Sequence, residues 1–257
     1  MPFRYPCYVR LQANLGRIDA ICGYATIAVD LLSEELQENS NPREWLSGTA
    51  KHRGIVLHDV DDQLLPHRLA QMFIVTVHAQ LEEFLHAFLE DHTESQAWDK
   101  KVEGEPLFLY VMKNLGMLHR GSCAQDRETV EYYRLIRNRF SHIEVNPKKI
   151  ENQRKQLRKL LNVTKDHVPP KSYEQVDYGD FDLFTKAVKS VACQMCLAAK
   201  PSDLALAQLA RSGNYLRLRR YRNNPKRYTN ALRQKLAMDY GLDEAEATVI
   251  IKLVLGS

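Results

Sequence analysis

Residues 131–142 read Glu-Tyr-Tyr-Arg-Leu-Ile-Arg-Asn-Arg-Phe-Ser-His and bring Arg137, Asn138 and His142 within six positions of one another. A histidine with an unperturbed pKa of about 6.5 exchanges a proton near neutral pH. An arginine stays charged and presents a planar fork of donors that matches phosphate oxygens. The pair therefore suits a reaction at a phosphodiester, with His142 moving the proton of the attacking or departing oxygen and Arg137 meeting the charge that builds on the phosphoryl group. Asn138 stands one helical turn before His142, where its amide can orient the ring or hold a phosphate oxygen. Five residues of straight helix turn through about 500°, which leaves Arg137 and His142 about 140° apart. A loosened last turn, or a twofold-related copy of the same helix, is needed to assemble the pair.

An Arg followed by a polar residue, three further residues and a His, all on one helix, resembles the motif of HEPN domains. These are helical domains whose members include prokaryotic toxin and antiviral ribonucleases, and the residue after their Arg is often Asn. The earlier segment Gln80-Leu81-Glu82-Glu83-Phe84-Leu85 is similar to the acidic and apolar second helix of that family. The resemblance covers about residues 60–200. It implies catalysis by Arg137, Asn138 and His142, support of the Arg137 side by Glu82 or Glu83, and no metal or other cofactor. It also implies attack of a ribose 2′-OH to leave a 2′,3′-cyclic phosphate, a homodimer, and a toxin–antitoxin or phage-defence role with an antitoxin or regulatory protein as partner. HEPN toxins paired with nucleotidyltransferase antitoxins carry a Tyr two residues after the His. Glu144 stands there in this chain, so regulation through that Tyr is not expected. The same Arg-to-His spacing recurs at Arg53 and His58, but Gly54 follows that Arg and the region is turn-rich. The alternative to an enzyme is a non-catalytic helical module that binds nucleic acid or protein.

Charge supplies a second line of argument. Residues 1–100 carry a net −7 and residues 101–257 a net +11, within a formal total of +4. Residues 211–235 hold nine basic residues and no acidic one, interleaved with Tyr215, Tyr221 and Tyr228. Cations for phosphates and rings for bases are what single-stranded RNA binding requires. The RNA-binding candidates are Arg139, Arg217, Arg219, Arg220, Tyr221, Arg222, Lys226 and Arg227. Competing readings are a basic surface docked on the acidic half, and a duplex-DNA reader built on residues 224–255 as a helix-turn-helix-like unit.

The elements that must position these residues are helical, because apolar residues recur at three-and-four spacing and strand-like alternation is almost absent. The expected fold is all-α: a HEPN-like helical bundle over residues 1–200 and a small basic helical extension over 201–257. Helices are predicted at 8–37, with Gly16 and Gly23 as the candidate points of bending or breakage, and at 66–91, 105–118, 126–142, 148–161 and 180–200. Three shorter ones follow at 202–211, 224–240 and 243–255. Residues 39–62 read as polar and turn-rich around Ile55-Val56-Leu57, a short strand or packed loop, and 162–179 reads as the longest loop.

With 257 residues, 44 % of them hydrophobic and 26 % charged, the chain can bury one sizeable core or two modest ones. Its longest apolar runs, 72–77 and 249–255, fall short of the roughly 20 residues a membrane span needs, and the N-terminus lacks a secretory pattern. A cytoplasmic protein with no membrane partner is expected. The five cysteines are odd in number and scattered, which fits reduced thiols, and Cys193-Gln194-Met195-Cys196 sits in an amphipathic helix with no second ligand pair at zinc spacing. His78, Glu82 and His86 recur every four residues, yet they drift around the helix and lack a facing ligand pair, so no metal site is assigned.

Overall fold

A computed structural model describes residues 3–57, 64–141 and 145–256. The chain is all-α, with ten α-helices and no strand among the described residues. They are α1 (Pro6–Glu38), α2 (Pro42–His52), α3 (Leu65–Asp91), α4 (Leu107–Asn114), α5 (Ala124–Ser141), α6 (Pro147–Leu160), α7 (Tyr178–Ala198), α8 (Asp203–Ala210), α9 (Pro225–Tyr240) and α10 (Glu244–Leu255). No described helix is long and apolar enough to cross a membrane.

Three expectations change. α1 runs unbroken through Gly16 and Gly23, because an isolated glycine costs only about 1 kcal/mol in a helix and the rest of a 33-residue helix outweighs it. Residues 42–52 form a helix where turns were expected. Pro42 opens it as Pro147 opens α6, proline needing no amide partner at a first helical position, although the Asn146 side chain caps an amide and the Asn41 side chain does not. Residues 213–221, for which no element was predicted, form a 3-10 helical segment. Ile55, Val56 and Leu57 lie outside regular structure and are exposed, so the strand-like run is neither strand nor core.

The chain divides into two compact units, one of residues 1–12, 82–123 and 190–257, the other of residues 13–81 and 124–189. Helices α1, α3 and α7 each supply residues to both.

In the first unit the N-terminal residues act as a wedge. The Tyr5 hydroxyl donates to the Ala199 carbonyl at 2.7 Å, and its ring packs edge-on to Phe88 with centroids 5.5 Å apart. Phe3 stacks on Tyr240, and the Arg4 amide donates to the Tyr240 carbonyl at 3.0 Å. α10 packs on α8 and α9, with Leu206, Leu232, Leu236, Ile250 and Ile251 buried. Asp243 and Glu246 form a reciprocal capping box at the start of α10. Gly241 closes α9 in the left-handed region at φ 67°, a conformation glycine adopts without steric cost.

In the second unit α5 and α6 pack together, and Ile74, Val77, Val130, Ile136, Leu157, Phe184 and Val188 fill the core. Asn14 Nδ2 donates to Gln80 Oε1 at 2.8 Å, tying α1 to α3, and Lys189 pairs with Asp19 at 2.7 Å, tying α7 to α1. Asn162 adopts φ 55° at the end of α6, letting the Val163 amide donate back to the Arg158 carbonyl at 2.9 Å. The buried Arg158 side chain then holds the loop that follows. Its guanidinium donates to the carbonyls of Lys165, Val168 and Pro170 at 2.9, 3.1 and 3.2 Å.

Removing that guanidinium leaves three carbonyls without this donor, that of Pro170 in a buried place. Arg158→Ala is expected to lose about 2–4 kcal/mol of stability in urea denaturation. Asp166→Asn is expected to change little, because Asp166 is 94 % exposed where it faces Arg158 at 3.5 Å.

Candidate functional site

Helix α5 has a buried side made of Val130, Tyr132, Tyr133, Leu135 and Ile136. Arg137, Asn138 and Arg139 follow in its last turns and are half-buried, and Ser141 ends it exposed. His142 and Glu144 lie outside the described residues, as does His58 of the decoy spacing.

Arg137 Nη1 donates to Asn138 Oδ1 at 3.1 Å. The two side chains leave the helix about 100° apart, so this bond swings the guanidinium toward the azimuth of Asn138. Glu131 does not engage Arg137 through any described ion pair. It grips Arg134 in a fork, Oε2 accepting from Nε at 2.7 Å and Oε1 from Nη2 at 2.6 Å, a geometry that holds both planar groups.

Arg139 is occupied by packing. Its guanidinium lies 5.0 Å from the centre of the Tyr173 ring, and Nη1 donates to the Val145 carbonyl at 3.3 Å. Glu82 is half-buried and Glu83 exposed on α3; both belong to the first unit, whereas Arg137 and Asn138 belong to the second.

Beneath the Arg137 turn lies a polar cluster that no sequence motif announces. Asp180 is fully buried at the start of α7. Its Oδ1 accepts from the Tyr133 hydroxyl at 2.7 Å and from the Lys171 amide at 3.0 Å, and its Oδ2 accepts from the Asp177 amide at 3.2 Å. The Tyr132 hydroxyl donates to the Lys171 carbonyl, and Lys171 Nζ pairs with Asp177. Burial pushes the Asp180 carboxyl from its ordinary 3.8 up to about 6, even though all three donors favour the ionised form. Burial, with Asp180 alongside, also raises Tyr133 well above its usual range. Tyr133 precedes Arg137 by four residues, so the cluster fixes the turn on which Arg137 stands.

A cavity of about 390 Å³ elsewhere in the second unit is lined by residues of α1, α3 and the start of α7, including Asp30, His67, Phe73 and Tyr178. None of the site residues expected from sequence lines it.

The basic run 211–235 sorts into two groups. Arg211 donates to the Leu253 carbonyl, Arg233 Nη1 to Asn230 Oδ1 at 3.1 Å, and Lys235 pairs with Asp239 at 2.9 Å while lying 5.0 Å from the Tyr215 ring centre. Arg219 Nη2 donates to the Arg211 carbonyl at 3.0 Å. By contrast Arg217, Arg220, Arg222, Lys226 and Arg227 are exposed, with no carboxylate partner among the described residues. Tyr215 and Tyr228 are each only 5 % exposed, so they serve the core and offer no face to a base. Tyr221 is half-buried, with Arg220 4.7 Å and Arg227 4.5 Å from its ring centre.

All five cysteines are free thiols, four of them buried. Burial pushes Cys22 and Cys196 up to about 12, so they stay protonated and act as packing. Among the described residues no three His, Cys, Asp or Glu side chains are grouped to hold a metal ion. No protein-family model, curated protein or solved structure matches the chain.

The sign of the Asp180 shift sets a pH dependence. Between about pH 4 and 6 the folded state binds more protons than the unfolded one, so this group's contribution to stability falls as pH rises through that window and is level above it. Asp180→Asn is expected to remove that component. Thermal melts of both proteins from pH 4 to 7 should show the wild type's stability relative to the variant declining with pH.

Proposed function

We propose that the chain is a HEPN-type endoribonuclease. The observation that carries this reading is the Arg137–Asn138 hydrogen bond near the C-terminal end of α5, in an all-α chain whose sequence places His142 four residues beyond Asn138. The bond draws the guanidinium to the side chain that stands four positions before that histidine in the sequence. In the proposed reaction a ribose 2′-oxygen attacks the adjacent phosphorus and the bond to the 5′-oxygen breaks. His142 takes the 2′-OH proton or supplies one to the leaving 5′-oxygen, and Arg137 meets the charge on the non-bridging oxygens. The products are a 2′,3′-cyclic phosphate and a 5′-hydroxyl, and no metal is required.

The Asp180 cluster serves this reading as a positioning device, holding the preceding turn of α5 without touching substrate. A homodimer would reunite Arg137 with His142 across two copies. Apolar residues for such an interface are available on α1, where Ile21, Tyr24, Ile27 and Leu31 are each more than half exposed. A cytoplasmic toxin or phage-defence role, held in check by an antitoxin or regulatory protein, follows from the same reading.

A second reading is a non-catalytic module that binds nucleic acid. It is favoured by the exposed cations of residues 217–227, which lack carboxylate partners among the described residues.

Cleavage of total RNA by the purified protein separates the two. The wild type is expected to yield cyclic-phosphate ends, to keep its activity in EDTA and to leave an all-deoxy strand intact. His142→Ala is expected to cut at least a hundredfold more slowly while still folding and binding RNA; cleavage at the wild-type rate by that variant would exclude the enzyme reading.

A further inference from the structure

We propose that Arg220 and Arg227, held against Tyr221, form a phosphate clamp for an RNA backbone, extended by Arg217, Arg222 and Lys226. The choice of RNA rests on the ribonuclease reading; the clamp itself rests on three features of residues 217–227.

The first feature is the shared ring. Guanidinium carbons 4.7 and 4.5 Å from one ring centre are attracted by the ring's electron-rich face. Two like charges are thereby kept no more than about 9 Å apart without a carboxylate between them among the described residues. Phosphates bound to them relieve their repulsion. Stacking restricts the side chains while leaving N–H donors for a ligand, so less rotamer freedom is lost on binding.

The second feature is the start of α9. Lys226 and Arg227 occupy its first turn, which contains no acidic residue. Backbone amides give that end of a helix a partial positive charge, and proteins usually place carboxylates there. Here cations sit against it, a local conflict that a bound phosphate resolves.

The third feature is the division of labour among the nine basic residues. Arg211, Arg219, Arg233 and Lys235 are held by protein groups, which leaves five directed to solvent. Because Tyr215 and Tyr228 are buried and Tyr221 is engaged by arginines, the surface reads phosphates and has few free aromatic faces for bases. Its binding is therefore electrostatic and tolerant of sequence.

The test measures the salt dependence of RNA binding by fluorescence anisotropy. It uses the full-length His142→Ala protein, which leaves the probe uncut, and an end-labelled single-stranded RNA of about 20 nucleotides. Five phosphate contacts predict a slope of log K against log salt of about −3.5. The paired variant Arg220→Gln, Arg227→Gln is expected to make the slope shallower by about 1.4 and to weaken binding roughly tenfold near physiological salt. Arg233→Gln, at a residue bonded to Asn230, is expected to leave both unchanged. Tyr221→Leu retains both charges but removes their support, and is expected to weaken binding with little change of slope. Wild-type slope and affinity in the paired arginine variant would overturn the clamp, as would full affinity in Tyr221→Leu. Equal affinity for duplex DNA of the same length would overturn the assignment to RNA. If the protein bearing His142 cleaves RNA while the paired variant binds normally, the clamp fails and the nuclease stands. If the paired variant loses binding while no protein cleaves, the clamp stands and the nuclease fails.

Discussion

Asp180 is a fully buried carboxyl group that receives three donors from three stretches of chain: the Tyr133 hydroxyl on α5, the Lys171 amide in the loop and the Asp177 amide at the approach to α7. An ionised carboxylate in such a place is costly, and donors offset that cost only when all of them are aimed at it. The requirement is therefore geometric as well as energetic. α5, the loop and α7 must keep one arrangement for the group to be satisfied, and the turn of α5 that bears Arg137 inherits its position. Tyr133 links burial to placement, with a ring that packs on Phe184 at 5.1 Å and a hydroxyl that reaches the carboxylate.

The basic segment answers to a different constraint. Its buried tyrosines and its bonded arginines hold a 3-10 helical segment and α9 in place, while the remaining cations are presented outward. The same residue type thus serves as structural tie and as exposed charge within a few positions. What separates the roles is whether a carbonyl, amide or carboxylate of the protein stands within reach. Tyr221 belongs to both groups, because it packs at the surface and aligns two guanidiniums.

Much of the fold was legible because long helices with caps carry strong local signals. Asn146-Pro147, Asn224-Pro225 and Asp243 with Glu246 mark helix starts, and the side chains of Asn146, Asn224 and Asp243 accept the expected amides. α2 is harder to read because it is only 11 residues long and its apolar positions are few, Trp45, Leu46 and Ala50, although Asn41-Pro42 carries the same opening signal. The candidate site was legible only in its local part. Arg137 and Asn138 are neighbours, and their bond needs no tertiary knowledge. Tyr133 and Asp180 are 47 residues apart, and nothing in either segment announces the other. The interleaved tyrosines misled for a related reason. Alternation with arginine looks like a row of stacking platforms, whereas helical rotation turns Tyr215 and Tyr228 into the core.

Arg158 works at both ends of one turn, its carbonyl accepting the Val163 amide and its side chain reaching forward into the loop. That loop also supplies Lys171 to Tyr132 and Asp180, and is followed by Tyr173, the ring beneath Arg139. Fraying at the C-terminus of α6 is therefore not a local event. It withdraws supports from α5 together, so amide exchange in these two helices would be coupled, and whatever α5 does at its far end depends on how well its neighbour stays wound.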